Sequence, residues 1–86
     1  MHEFGVATAL LDTVVNSVDK TNCIRVNKIN VVVGKKAAII EEMFSEAFNV
    51  LKELDEYALC KNAKIITKEN DGKDVYIDKI EIEEKD

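Results

Sequence analysis

The stretch CIRVNKINVVVG, Cys23–Gly34, has the composition of a buried β-strand. β-Branched residues dominate it, and a glycine, a residue typical of turns, closes it. Under strict alternation its apolar residues divide between the two faces of the strand: Ile24 and Val26 on one, and Ile29, Val31 and Val33 on the other. One extra residue near Asn27 and Lys28 would return both groups to one face, because a bulge shifts the alternation by one. The stretch therefore predicts a long strand with a bulge.

Helical periodicity flanks this strand on both sides. Before it, apolar residues at three- and four-residue spacings predict a first helix over residues 4–18: Phe4, Ala7, Leu11, Val14 and Val18. After it, the same period returns from about residue 38 and predicts a longer second helix with one apolar side: Ile40, Met43, Phe44, Ala47, Phe48, Leu51 and Leu54. At this spacing, a methionine and two phenylalanines favour a packed core over a cofactor pocket.

The segment AKIITKENDGKDVYIDKIEIEE, residues 63–84, predicts two further strands around the turn Asn70, Asp71 and Gly72. A hairpin with a three-residue loop and a left-handed Gly72 pairs opposite charges three times: Glu69 with Lys73, Lys68 with Asp74, and Lys64 with Asp78. The same register sets Ile65 opposite Ile77 and Ile66 opposite Tyr76. A two-residue loop would set like charges opposite each other, as in Lys64 with Lys79, so we expect the three-residue loop. A second bulge is expected near Asp78 and Lys79.

The resulting order α-β-α-β-β predicts an α/β fold, a two-layer sandwich with two helices on one face of a three-stranded sheet. Residues 1–86 form one expected domain, large enough to bury roughly 60 to 65% of its unfolded surface. The pattern contains no linker and no repeat, and it leaves the order of the strands in the sheet open. Only the closing EIEEKD is expected to fray.

Composition narrows the classes of function. Seventeen acidic and twelve basic residues give a net charge of -5, and the basic residues form no stripe along the sequence, which disfavours nucleic acid as a partner. The apolar runs fall far short of the roughly 20 residues of a membrane helix. The chain does not begin with a secretory signal pattern, so we expect a cytoplasmic location and no membrane partner.

The two cysteines, Cys23 and Cys60, are too far apart for a CxxC pair and too few for a zinc finger or a disulfide framework. We expect them to be reduced, partly buried small side chains. No bound zinc is expected on this basis.

The first three residues, Met1-His2-Glu3, combine a terminal amine with the only histidine of the chain. The amine, the His2 amide and the imidazole offer three nitrogen donors in succession, a set that suits the square-planar preference of nickel(II) or copper(II). Glu3 could add a backbone or carboxylate donor, or could serve as an acid at the positive end of the first helix. Because His2 is large, we expect Met1 to be retained.

Four segments together resemble the HypA family, the nickel metallochaperones of nickel-iron hydrogenase maturation. They are Met1-His2-Glu3 running into a helix, RVNKINVVVG ending at Gly34, EEMFSEAFNVL and VYIDKIEIEE. The resemblance spans nearly the whole chain. It implies nickel(II) held by Met1, His2 and Glu3, no catalytic residues, and two partners, a maturation GTPase and the hydrogenase large-subunit precursor.

The chain departs from the family pattern at two places. Family members usually carry a zinc module with two CxxC pairs between the last two strands, where this chain has only KENDGKD, residues 68–74. We therefore expect a shortened form without the zinc-binding domain. Lys36 also stands where an apolar residue is expected.

The sequence leaves three functions open. The first is a nickel carrier for hydrogenase maturation. The second is a non-metal adaptor that keeps the fold and binds a protein partner, and a nickel titration of untagged protein separates the two. The third, an enzyme, has little support, because the chain has no second histidine, no nucleophile beside a base and no glycine-rich phosphate loop.

Overall fold

The computed structural model describes residues 2–86. Over that range the main elements are α1 (Glu3–Ser17), β1 (Cys23–Gly34), α2 (Glu41–Leu51), β2 (Lys64–Asn70) and β3 (Val75–Glu84). Short 3-10 helices, Lys35–Ala37 and Asp55–Cys60, precede and follow α2. The predicted order α-β-α-β-β and the α/β class are confirmed, and β1 has the bounds that its composition indicated. Within the described residues, no helix is long and apolar enough to cross a membrane.

The sheet has the order β2-β1-β3, with β1 parallel to β2 and antiparallel to β3. The predicted hairpin is therefore wrong, because β2 and β3 lie on opposite sides of β1 and their residues do not pair. The physical reason is burial. The central position gives the β-branched strand β1 a neighbour along both edges, and Val31, Val32 and Val33 are all buried there. Exposed charge pairs across a hairpin contribute too little to compete with this.

The connection between β2 and β3, residues 71–74, crosses over the end of β1. The Gly34 amide donates to the Asp74 carbonyl at 2.8 Å, and the Lys36 amide donates to the Gly72 carbonyl at 3.0 Å. A Cβ atom on Gly34 would lie 2.4 Å from the Gly72 carbonyl oxygen, so the crossover requires glycine at this position. Gly72 does not adopt the predicted left-handed conformation, since no described glycine has a positive φ.

Both predicted bulges are confirmed. The pairing of β1 with β3 shifts between Val26 and Lys28, and it shifts again between Asn30 and Val31, where Asp78 is the extra residue on β3. The expected fraying of the last residues is wrong, because β3 continues to Glu84 and the Lys85 amide donates to the Asn22 carbonyl at 2.7 Å.

The core lies between the helices and one face of the sheet. Phe44 and Phe48 of α2 meet edge to face there, with ring centroids 4.7 Å apart. The largest fully buried side chains come mainly from both helices and β1: Phe44, Phe48, Leu11, Ile29, Val14, Val26, Val31 and Cys60.

Five residues predicted to face the core are exposed instead: Phe4, Ile24, Ile40, Met43 and Leu54. The second helix is shorter than its apolar period indicated. Ala38 has a left-handed φ of 58°, which stops the helix from extending back. The helix α2 begins at Glu41 and ends at Leu51. Ile40 and Leu54 therefore lie outside it. Phe4 and Met43 lie on helical sides that face solvent.

Candidate metal centre

His2 stands at the start of α1 as its N-cap residue. Its carbonyl accepts a hydrogen bond from the Val6 amide at 2.9 Å, which closes the first turn of the helix. Its side chain is exposed and makes no capping hydrogen bond. The imidazole is thus available to a metal, and the His2 amide precedes the turns in which amides find intrahelical acceptors.

Glu3 is the one buried charged residue of the described chain, with only 4% of its surface exposed. Its Oε2 accepts a hydrogen bond from the Ile40 amide at 2.9 Å. Since Ile40 is the N-cap residue of α2, the carboxylate lies where the two helices begin. The positive ends of two helix dipoles favour a negative charge at that place. We call His2, Glu3 and Ile40 the amino-terminal corner.

The environment of Glu3 stabilises its ionised form. Hydrogen bonds, among them that from the Ile40 amide, lower the pKa of Glu3 to about 2. The corner therefore carries a carboxylate charge throughout the physiological pH range. That negative charge would stabilise a cation bound beside His2.

The predicted ligands divide between described and undescribed residues. His2 and Glu3 are neighbours at the corner, whereas Met1 lies outside the described residues. Between residues 2 and 86, no group of three or more histidine, cysteine, aspartate or glutamate side chains could hold a metal ion. A metal centre at the corner would therefore depend on main-chain nitrogens as well as on side chains.

The contact between Glu3 and Ile40 was not predictable from the sequence. An acid in the first turn of a helix indicates a favourable dipole interaction, but it does not identify an amide 37 residues away as its partner. A second contact near the corner was also missed, since the Thr67 hydroxyl of β2 donates to the Glu41 carboxylate at the start of α2.

A further pair joins the 3-10 helix Asp55–Cys60 to α1. The hydroxyl of Tyr57 donates to the Asp12 carboxylate at 2.6 Å. This hydrogen bond, together with burial and the negative charge of Asp12, raises the pKa of Tyr57 to about 12. The pair is structural, because it fastens the segment after α2 against the first helix.

The two cysteines are free thiols and both are buried. Burial, with a smaller effect of Cys23, raises the pKa of the Cys60 thiol to about 11. Thiolates are the form that binds metals, so a high pKa disfavours metal binding at Cys60.

The family of the chain follows from comparison with known proteins. The family model described as hydrogenase/urease nickel incorporation, metallochaperone, hypA, matches residues 1–74. The chain belongs to the HypA family. The hydrogenase maturation factor HypA of Dehalococcoides mccartyi is 28% identical over 53 residues, which are 62% of this chain and 44% of that protein. The chain thus spans less than half the length of this curated relative.

Solved structures of HypA proteins share the fold. The solution structure of the nickel metallochaperone HypA from Helicobacter pylori has a TM-score of 0.71 and 19% identity, covering 96% of this chain and 87% of that one. A second HypA solution structure has a TM-score of 0.64 and 19% identity, covering 98% and 87%. At such identity the likeness concerns the architecture, and it agrees with the predicted α/β class.

Proposed function

We propose that this chain binds nickel(II) as a cargo at its amino terminus and delivers it during hydrogenase maturation. Membership of a nickel metallochaperone family supports the proposal. The observation that carries it is the imidazole of His2 at the start of α1, which is exposed and makes no capping hydrogen bond, next to the buried Glu3.

In this proposal Met1 supplies the terminal amine, and His2 supplies its amide and imidazole nitrogens. Nickel(II) favours such nitrogen sets and displaces the protons that they carry. Copper(II) shares the preference, so an excess of either metal would compete for the site. An exposed terminal site allows ligands to be exchanged one at a time, as delivery requires.

Glu3 has three roles in the proposal. Its carboxylate fixes the corner through the Ile40 amide, and its charge favours a cation nearby. It also completes the proposed ligand set with a backbone or carboxylate donor. Glu3→Gln separates the hydrogen bond from the charge, because the glutamine side chain keeps an oxygen acceptor for the Ile40 amide but has no negative charge.

The partners of the cargo transfer are proposed from the family alone. They are a maturation GTPase and the precursor of the hydrogenase large subunit, which would accept the nickel. We also propose that the chain performs this task as a single domain without zinc and without catalysing a reaction.

The test is a nickel titration of tag-free protein followed by visible absorption and calorimetry. His2→Ala should abolish tight nickel binding and leave the melting temperature nearly unchanged, because the His2 side chain is exposed and makes no capping contact. Asn16→Ala, an exposed change at the other end of α1, is the matched control and should bind nickel like the natural chain. Equal affinity in His2→Ala would remove His2 from the site.

A second candidate function, an adaptor that binds a protein and no metal, is favoured by one surface feature. A groove of about 550 Å³ is lined by the exposed Phe4 of α1 and by residues of α2, of which Met43 and Val50 are apolar and exposed and Glu46 and Asn49 are polar. If the titration shows no nickel binding, the adaptor function is favoured.

A further inference from the structure

The sheet face that no helix covers is rich in lysine, whereas the helices α1 and α2 carry acidic residues. The register sets three rows of three residues across this open face: Lys64-Lys28-Glu81, Ile66-Asn30-Lys79 and Lys68-Val32-Tyr76. Four of the nine residues are lysines and one is a glutamate. We call these nine residues the open sheet face.

The lysines of the open sheet face contrast with the acidic character of the rest of the chain. The net charge is -5, and α1 and α2 contain five acidic residues and no lysine or arginine. Basic side chains are thus absent from α1 and α2, whereas four of the twelve lie on the open sheet face, with Glu81 on it and Asp78 beside it. Such a local field opposes the overall charge and attracts anionic groups.

Most lysines of the open sheet face have no acidic partner. Lys28 forms an ion pair with Glu81 at 3.4 Å. Among the described residues, no carboxylate lies within the 4.0 Å ion-pair limit of Lys64, Lys68 or Lys79. Their charges are therefore available to an external carboxylate.

The centre of the open sheet face is concave and contains an unused donor. A depression of about 220 Å³ is lined by Asn30, Val32, Ile66, Lys68 and Lys79, and by the bulged Asp78. Val32 is only 4% exposed there. The Nδ2 of Asn30 is buried and has no hydrogen-bond acceptor among the described residues. A buried donor without an acceptor is unfavourable, and an incoming carboxylate oxygen would satisfy it.

We propose that the open sheet face binds an extended acidic peptide segment of a partner protein. Carboxylates of the segment pair with Lys68, Lys79 and Lys64, one of them reaches Asn30, and its apolar residues cover Ile66 and Tyr76. A nucleic acid would extend its phosphates beyond the lysines onto the acidic remainder of the chain, and it has no aliphatic side chains for Ile66 and Tyr76, whereas a short peptide segment stays over the open sheet face. The proposal is independent of nickel, since these residues lie on the sheet and not at the amino-terminal corner.

The test uses two blocked octapeptides, one repeating Glu-Glu-Leu-Leu and one repeating Gln-Gln-Leu-Leu, because an extended chain with this repeat places polar and leucine side chains on the same face. Titrated into nitrogen-15-labelled protein, the glutamate peptide should shift the amides of the open sheet face and the side-chain amide of Asn30. The glutamine peptide should bind at least tenfold more weakly, because it lacks the carboxylates.

Two charge-matched double variants decide the location. Lys68→Glu with Lys79→Glu should weaken binding of the glutamate peptide at least tenfold. Lys20→Glu with Lys85→Glu changes the net charge equally, at exposed positions outside the open sheet face, and should weaken it less than twofold. Single Lys68→Gln and Lys79→Gln variants, which remove one charge each, should give intermediate losses and a native spectrum.

Several results would overturn the proposal. If the two double variants lose the same affinity for the glutamate peptide, the effect is one of net charge alone. If the amide shifts are confined to Phe4, Met43 and Val50, the peptide binds in the helical groove and not on the open sheet face. Self-association without peptide, abolished by Lys68→Glu with Lys79→Glu, would assign the open sheet face to a second copy of the chain instead.

Discussion

Different interactions fix the amino-terminal corner and the crossover, residues 71–74, although both contact the chain between the end of β1 and the start of α2. The crossover is fastened by main-chain hydrogen bonds at Gly34 and Lys36, and it leaves no room for a Cβ atom on Gly34. The corner is fastened by one buried carboxylate on the Ile40 amide, and it leaves the neighbouring imidazole exposed. Steric fit fixes the chain at the crossover, whereas a buried carboxylate fixes it at the corner, beside an exposed imidazole.

The largest expected effect is at the crossover. Gly34→Ala should destabilise the protein by about 3 kcal/mol, since the new Cβ meets backbone atoms that can give way only if the crossover shifts. Chemical denaturation measures the change. Gly5→Ala in α1 is the matched control, because its Cβ meets nothing within 4 Å, and it should stabilise the helix by up to about 1 kcal/mol. Similar stabilities for the two variants would contradict the steric account.

A smaller and pH-dependent effect is expected at the corner. A carboxyl whose pKa falls from 4.5 to about 2 on folding stabilises the native state above pH 4.5, and this stabilisation is lost as the pH falls through about 2. Glu3→Gln should therefore lower the melting temperature at pH 7 but approach that of the natural chain toward pH 2. Glu46→Gln, an exposed change on α2, is the control and should lower it little at either pH. A Glu3→Gln deficit independent of pH would mean that charge does not hold the corner.

The smallest effect is expected on the other side of the crossover. A Cβ on Gly72 would approach only the flexible Asn70 side chain, at 3.2 Å, and Gly72 has no positive φ. Gly72→Ala should thus change the unfolding free energy by no more than about 0.5 kcal/mol. A loss as large as that of Gly34→Ala would show that both glycines, and not Gly34 alone, are sterically required.

The extent of β1 and both bulges were predictable because they depend on local properties, namely β-branched composition and a break in alternation. The pairing of β2 and β3 was not, because it depends on which strand gains most from the centre of the sheet. Apparent charge complementarity between Lys68 and Asp74 indicated a hairpin that the burial of β1 overrides.

At the candidate site, the sequence predicted ligand residues but not their environment. Met1, His2 and Glu3 were predicted as ligands from their donor types and from the family resemblance, and this ligand set stays a prediction. The burial of Glu3 and its contact with Ile40 depend on how the two helices begin beside each other, which no local pattern encodes.

The nickel affinity of tag-free protein between pH 6 and pH 8, with and without acetylation of the amino terminus, tests the central claim most directly. Amine, imidazole and amide nitrogens must all lose protons to nickel, so the affinity should rise steeply across this range. A square-planar nitrogen set should give a yellow to orange, diamagnetic complex, and acetylation should abolish it. An affinity that is flat with pH, or unchanged by acetylation, would contradict nickel binding by Met1 and His2.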